Sequence, residues 1–401
     1  MSPASGSSMV ALVITARGLR AFGDGFVAVL LPAYLLALGQ GQLEVGFLST
    51  AALFGSAIAT LAVGRWGHRF ALRRMLLAAA VLMAATGLGF AGFTDLWPLL
   101  IVSFLGPLNP SGGDVSVFLP LEQTVLAGSS TFEARTGVFA RYSFVGSIFA
   151  AVGALAAALP EWLATRGGWS MVDALRAMFL LYALIGVVVW LLYLRIPRPP
   201  VGEVKPQASL GGSRHIVFKL AALFSLDSFA GGLVINALLA LWLFERFGMS
   251  LTAAGAFFFS TGILSAVSQL AAVPLARHIG LINTMVFTHV PASLCLIGAA
   301  FAPSMEIALG LLLVRSLLSQ MDVPARNAYV MSVVSPAERP AAASFTAVPR
   351  SLAAAAGPTI AGALFATGAM ATPLVVCGVL KIAYDLALYS SFRHVAPRST
   401  E

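Results

Sequence analysis

RMLLAAAVLMAATGLGFAGF, residues 74–93, carries one charge, at its first position, and one other polar side chain, a threonine. About 20 mainly apolar residues are what an α-helix needs to cross the hydrocarbon core of a bilayer. The run is continuous, whereas barrel strands alternate apolar and polar residues, so it reads as a helix and not a strand. Eleven comparable runs surround it, near 19–38, 43–63, 97–121, 138–159, 174–194, 217–243, 251–275, 284–302, 305–323, 341–366 and 371–392. The composition agrees: 59% of residues are hydrophobic and 10% charged, too little charge for a water-soluble surface over 401 residues. The expected fold class is all-α integral membrane, with twelve transmembrane helices.

The charge, +8 at pH 7, is unevenly distributed. Twelve spans put both termini on one side, and 19 of the 24 Lys and Arg residues are assigned to that side against three on the other, with Arg315 and Lys381 inside spans. The positive-inside rule then places both termini in the cytoplasm, with anionic lipid headgroups, and not nucleic acid, as the partner of the basic charge. The opening MSPASGSSM has no basic region, so the first span is expected to be retained and not cleaved. Arginine outnumbers lysine 21 to 3, which points to a bacterial source and hence the inner membrane. Cys295 and Cys377 both fall inside spans, where packing rather than a disulfide is expected.

The one substantial polar linker, RIPRPPVGEVKPQASLGGSRHI (195–216), divides the spans six and six. This gives an N-terminal bundle 1–194, a cytoplasmic linker 195–216 and a C-terminal bundle 217–401. The halves echo each other. RAFGDGFVAVLL (20–31) in span 1 parallels DSFAGGLVINALL (227–239) in span 7, and GRWGHR (64–69) after span 2 parallels ARHIGL (276–281) after span 8. Duplication of this kind belongs to transporters whose halves rock around a midplane site.

TLAVGRWGHR (60–69), followed by Arg73 and Arg74, resembles the signature of the major facilitator superfamily between spans 2 and 3, approximately Gly-x-x-x-Asp-Arg-x-Gly-Arg-Arg. Arg65, Gly67 and Arg69 match; Thr60, Gly64 and His68 depart from it. The resemblance covers the whole chain and implies two pseudo-symmetric six-helix bundles, a central cavity and alternating access. It makes Arg65, Gly67 and Arg69 cytoplasmic gate candidates, while Gly64 removes the aspartate that the family uses in a charge relay there. AGPTIAG (356–362) resembles the Gly-Pro element that proton-driven drug exporters carry in span 5, here displaced to span 11; close helix packing is the simpler reading. SGGDVSVFLPLEQ (111–123), GLINTMVFTH (280–289) and SQMDVPARNAYVMSVV (319–334) are similar to a bacterial, drug/proton-antiporter-like branch without a known substrate.

An ionisable side chain in hydrocarbon is costly, so it faces a cavity or a partner. Asp24 follows Arg20 by four residues, so the two share a helix face and are expected to pair; Asp24 is otherwise a candidate proton carrier. Asp227 in span 7 lies between a cavity role and a gate role. In span 4, NPSGG (109–113) weakens the helix in mid-membrane, which argues for a cavity wall beside Asp114. Glu122, eight residues on, is expected to pair with Arg141 or Arg135 at the cytoplasmic end. In RSLLSQMDVPAR (315–326), Arg315 and Asp322 are seven apart on one face, so Arg315 is expected to pair with an acid or to bind an anionic substrate, and Arg326 to act as a gate residue or headgroup anchor. Lys381 and Asp385 in KIAYD are four apart and are expected to neutralise each other. His289, the one histidine inside a span, reads as a pH-sensing or a packing residue. The remaining histidines lie at loops or ends, so no metal site is expected, and no cofactor.

No phosphate-binding loop, nucleophile elbow or His-Glu-x-x-His is present, so the chain is not read as an enzyme, and any transport draws on an ion gradient or on the substrate's own gradient. The expected function is proton-coupled export of a small, amphipathic or drug-like molecule by an antiporter that works as a monomer. The alternatives are uptake of a polar nutrient or organic anion, with Arg315 as anion ligand, and a non-transporting receptor or scaffold.

Overall fold

A computed structural model describes residues 3–112, 116–129, 132–197, 213–334 and 338–393. They form sixteen α-helices and no strand. In the first half these are α1 (Pro3–Ala37), α2 (Gln42–Trp66), α3 (Leu72–Gly92), α4 (Leu96–Leu105), α5 (Phe118–Ser129), α6 (Phe132–Leu155), α7 (Leu159–Gly167) and α8 (Met171–Tyr193). In the second they are α9 (Arg214–Gly232), α10 (Asn236–Phe247), α11 (Leu251–Ile279), α12 (Leu281–Ala300), α13 (Met305–Ser319), α14 (Asp322–Val333), α15 (Arg339–Ala366) and α16 (Thr372–Phe392). Each of the twelve expected spans finds its helix, and the fold is all-α integral membrane. Large apolar side chains such as Trp97, Leu105, Leu270 and Leu386 stand on the surface, as a lipid-facing exterior requires.

Spans 4, 7 and 10 are each two helices rather than one. Span 4 stops at Gly106 and resumes at Phe118, because Pro107 and Pro110 lack amide donors and Gly112 adopts φ +72°. The freed groups find protein partners. The Pro110 carbonyl accepts from the Ala237 amide at 3.1 Å, and Asn109 Oδ1 accepts from the Ser111 amide at 3.1 Å and its hydroxyl at 2.7 Å. Asp114 lies outside the described residues. Span 10 breaks at Gln320–Met321, so Arg315 and Asp322 sit on separate helices, and both line one cavity.

The helices cluster into two compact units, Met1–Val204 with Ile235–Phe259 and Lys205–Val234 with Ser260–Glu401. The boundary differs from the one drawn at the linker because α10 packs with the first unit. Gln42 donates to Glu245 at 3.0 Å, and the Thr252 amide and hydroxyl each donate to Glu161 at 2.8 Å. Inside each unit the same neighbours recur. In the first, α1 packs along α6 and α3 along α8; in the second, α9 packs along α15 and α12 along α16. Span 1 on 5 is thus repeated as 7 on 11, and 3 on 6 as 9 on 12, as duplication predicts.

Glycines set the closeness of the tightest pairs. A Cβ at Gly25 would lie 2.1 Å from the Ala150 carbonyl oxygen, and one at Gly153 would lie 2.0 Å from that of Phe22. In the second unit a Cβ at Gly232 would lie 2.2 Å from the Ala354 oxygen, and one at Gly357 would lie 2.3 Å from the Gly232 carbonyl carbon. The Gly357–Pro358 element is therefore a helix contact. Gly153→Ala or Gly357→Ala should destabilise by about 1–3 kcal/mol, because the facing backbone must give way. Gly310→Ala, where a Cβ would meet nothing within 4 Å, should be neutral or stabilising by up to about 1 kcal/mol. Thermal unfolding in detergent checks both.

Candidate functional site

In the first unit, α1 turns Arg17, Arg20 and Asp24 to one face, since they lie three and four residues apart. Arg20 does not pair with Asp24. Its Nη2 forms an ion pair with Glu122 Oε2 from α5, and both groups are buried. Two tyrosines complete the carboxylate: Tyr142 on α6 donates to Oε2 at 2.6 Å, and Tyr193 on α8 donates to Oε1 at 2.5 Å. The Arg20 guanidinium stands 4.1 Å over the Phe118 ring. Arg17 lies 5.3 Å over the Tyr142 ring and fits because Gly146 has no side chain. Glu122 is thus satisfied from three neighbouring helices and does not reach Arg141, which is exposed. Asp24 is 8% exposed and has no hydrogen-bond or ion-pair partner among the described residues.

The second unit gathers more charge. Asp227 on α9 accepts from Lys381 Nζ on α16 at 2.6 Å and faces Arg326 Nη1 on α14 at 3.3 Å and His289 Nε2 on α12 at 3.9 Å. Arg326 also pairs with Asp322 one turn back on α14. His289 Nδ1 lies 3.1 Å from both Asp385 oxygens, and its Nε2 is 3.4 Å from Lys381 Nζ. An imidazole that donates from Nδ1 to Asp385 and accepts at Nε2 from Lys381 satisfies both contacts.

Three expected pairings are thereby replaced. Lys381 and Asp385 do not neutralise each other, because neighbouring helices offer Asp227 to one and His289 to the other. Arg326 is buried in the ion-pair cluster and not at a membrane surface. Arg315 has no carboxylate within 4.0 Å among the described residues; Asp322 pairs instead with Arg326, one turn on along α14.

The cluster forms one wall of a cavity of about 190 Å³ inside this unit. Asp227, Ser228, His289, Ser293, Arg315, Gln320, Asp322, Arg326, Arg350 and Lys381 supply its polar lining. Lys381 reaches it from span 12. Arg350, whose Nε donates to Ser228 at 3.3 Å, falls within the bounds of span 11. Arg17, Arg20, Arg326 and Arg350 are buried or line the cavity, so none of the four is a loop cation. The partners Tyr142, Tyr193 and Ser228 carried no signal in sequence, since none is charged.

Arg65 and Arg69 are exposed at the end of α2, with Gly67 opening a 3-10 turn between them. A side chain at Gly64 would meet no atom within 4 Å. No group of His, Cys, Asp or Glu among the described residues is arranged to hold a metal.

A sequence profile of the Major Facilitator Superfamily matches residues 13–319. The chain belongs to the Major Facilitator Superfamily. It is therefore a multi-pass membrane transporter and not an enzyme. An uncharacterized membrane protein of Saccharomyces cerevisiae, YJR124C, is 22% identical over 93% of this chain and 92% of its own length. Among solved structures, a D-xylose–proton symporter superposes with a TM-score of 0.75 at 17% identity, covering 95% of this chain and 97% of that one. The nucleoside transporter NupG gives 0.71 at 16%, covering 96% and 99%. At such identities the likeness is one of fold.

Removing one partner of a buried ion pair leaves an uncompensated charge, so Glu122→Gln should destabilise this superfamily member by about 3–5 kcal/mol. Replacing both charges, Arg20→Met with Glu122→Met, should recover part of that loss. Unfolding midpoints of the purified single and double variants check it.

Proposed function

We propose that the chain is a proton-coupled secondary transporter working by alternating access, with both termini in the cytoplasm. Its cargo is a small polar solute taken into the cavity of the second unit. The observation that carries this reading is one carboxylate, Asp227, shared among Lys381, Arg326 and His289 at the wall of that cavity. A proton placed on His289 Nε2 turns its contact with Lys381 from attraction to repulsion and supplies Asp227 with another donor. A proton on Asp227 instead releases Lys381 and Arg326 together. Either event changes which helices α9, α12, α14 and α16 hold, which is how a local charge can bias a two-state element. Asp24, with no hydrogen-bond or ion-pair partner among the described residues, is a second protonatable carboxylate.

A polar cargo fits this lining better than a drug-like one, because the walls are charged and hydroxylated. The exporter reading drew on Gly357–Pro358, whose packing against α9 accounts for it without reference to drug transport. Direction follows whichever gradient, proton or solute, is the steeper. With the four buried or cavity-lining arginines removed from the count, the remaining loop cations still favour the side of the termini, which supports their cytoplasmic placement.

Spin labels at Ala71→Cys and Ile279→Cys, in a Cys295→Ser, Cys377→Ala background reconstituted in nanodiscs, test the proposal without a known substrate. Two distance populations are expected, with a ratio that differs between about pH 5.5 and about pH 8.5 and a dependence that Asp227→Asn diminishes. One distance at both pH values would overturn proton-linked alternating access.

A further inference from the structure

Resting on that reading, we infer that the cargo carries an oxyanion, a carboxylate or phosphate, and that Arg315 and Arg350 bind it in the cavity of the second unit. The charge balance of the lining leads there. Four cations line the cavity, Arg315, Arg326, Arg350 and Lys381, against two carboxylates, Asp227 and Asp322. Even with Asp385 counted, which His289 holds, cations exceed carboxylates four to three. Lys381 and Arg326 are committed to the two aspartates. Arg315 is not: no carboxylate stands within 4.0 Å among the described residues. Arg350 donates to the Ser228 hydroxyl, stands 6.0 Å over the Phe224 ring and has no ion-pair partner within 4.0 Å among the described residues.

Uncompensated cations at membrane depth are unfavourable, and the compensation missing from the protein is a negative charge from the cavity side. Guanidinium groups match carboxylate and phosphate oxygens in pairs, which an ammonium does not. Hydroxyl donors stand beside them. Ser293 lines the same cavity, and its buried Oγ has no hydrogen-bond partner among the described residues. A volume of about 190 Å³ holds on the order of ten waters, enough for a small organic anion and too little for a macromolecular ligand. These two guanidiniums, without an ion-pair partner among the described residues, line the same cavity as the Asp227 cluster, so an arriving anion and an arriving proton change the same charge balance.

Purified full-length protein, titrated with sodium phosphate, succinate, citrate and glycerol phosphate and followed by thermal unfolding, tests the inference, with sodium chloride and glycerol as controls at matched ionic strength. At least one oxyanion should raise the midpoint saturably beyond both controls. Arg315→Gln should weaken its apparent affinity at least about tenfold, the scale of one charge-assisted hydrogen bond. Arg350→Gln should weaken it as well, and Arg315→Lys should restore part of the loss. If Arg315→Gln does not fold, the wild-type protein serves: the bound oxyanion should protect Arg315 from phenylglyoxal, read by mass spectrometry of the digested chain. No stabilisation by any of the four, or stabilisation untouched by both arginine variants, overturns the oxyanion. So does the absence of protection. The spin-label distances separate the two readings. If they still shift with pH while oxyanions fail, proton-coupled transport stands and the cargo class is wrong.

Discussion

Asp227 accepts a hydrogen bond from Lys381 at 2.6 Å and faces Arg326 and His289, and the second unit is built around that shared carboxylate. The controlling constraint is the cost of charge in hydrocarbon, which forces each buried ion to find an opposite charge, a hydrogen-bond network or a cavity. Four helices converge on Asp227 for this reason. A change of proton at one atom is then felt by α9, α12, α14 and α16 at once, whereas an i,i+4 pair on one helix would have been neutralised without reference to its neighbours.

The two units share a packing plan and use charge differently. Spans 1 and 5, and 7 and 11, close on glycines to the point where a methyl group would collide with backbone. In the first unit that frame holds a buried pair, Arg20–Glu122, capped by two tyrosines. In the second it surrounds an open lining in which cations outnumber carboxylates. The first arrangement is complete in itself. The second is incomplete by at least one negative charge, which is why we place the cargo there.

The broken spans matter to both. Pro107, Pro110 and Gly112 end α4 early; the Ala237 amide satisfies the Pro110 carbonyl, and the Asn109 side chain accepts from the freed Ser111 amide. The break at Gln320–Met321 puts Arg315 and Asp322 on separate helices that line one cavity. Asp322 pairs with Arg326 on its own helix, which leaves Arg315 without a carboxylate within 4.0 Å among the described residues.

The sequence by itself determined the membrane fold, the number of spans and the family. Apolar runs of spanning length have few alternatives in a bilayer, and the residues from Arg65 to Arg69 lie close together in the chain. It also marked nearly every ion that matters, since a charge among apolar residues stands out: Arg20, Asp24, Glu122, Asp227, His289, Arg315, Asp322, Lys381 and Asp385 could all be read. What it did not determine was who pairs with whom. Spacing along one helix favoured Arg20 with Asp24 and Lys381 with Asp385. The tertiary structure chose Glu122, 102 residues away, and Asp227, 154 residues away, because a neighbouring helix brought a better-placed acid within reach. Arg350 and the tyrosines on Glu122 became visible only then, since a cavity wall and a hydrogen-bond cap are properties of packed helices and not of any one of them.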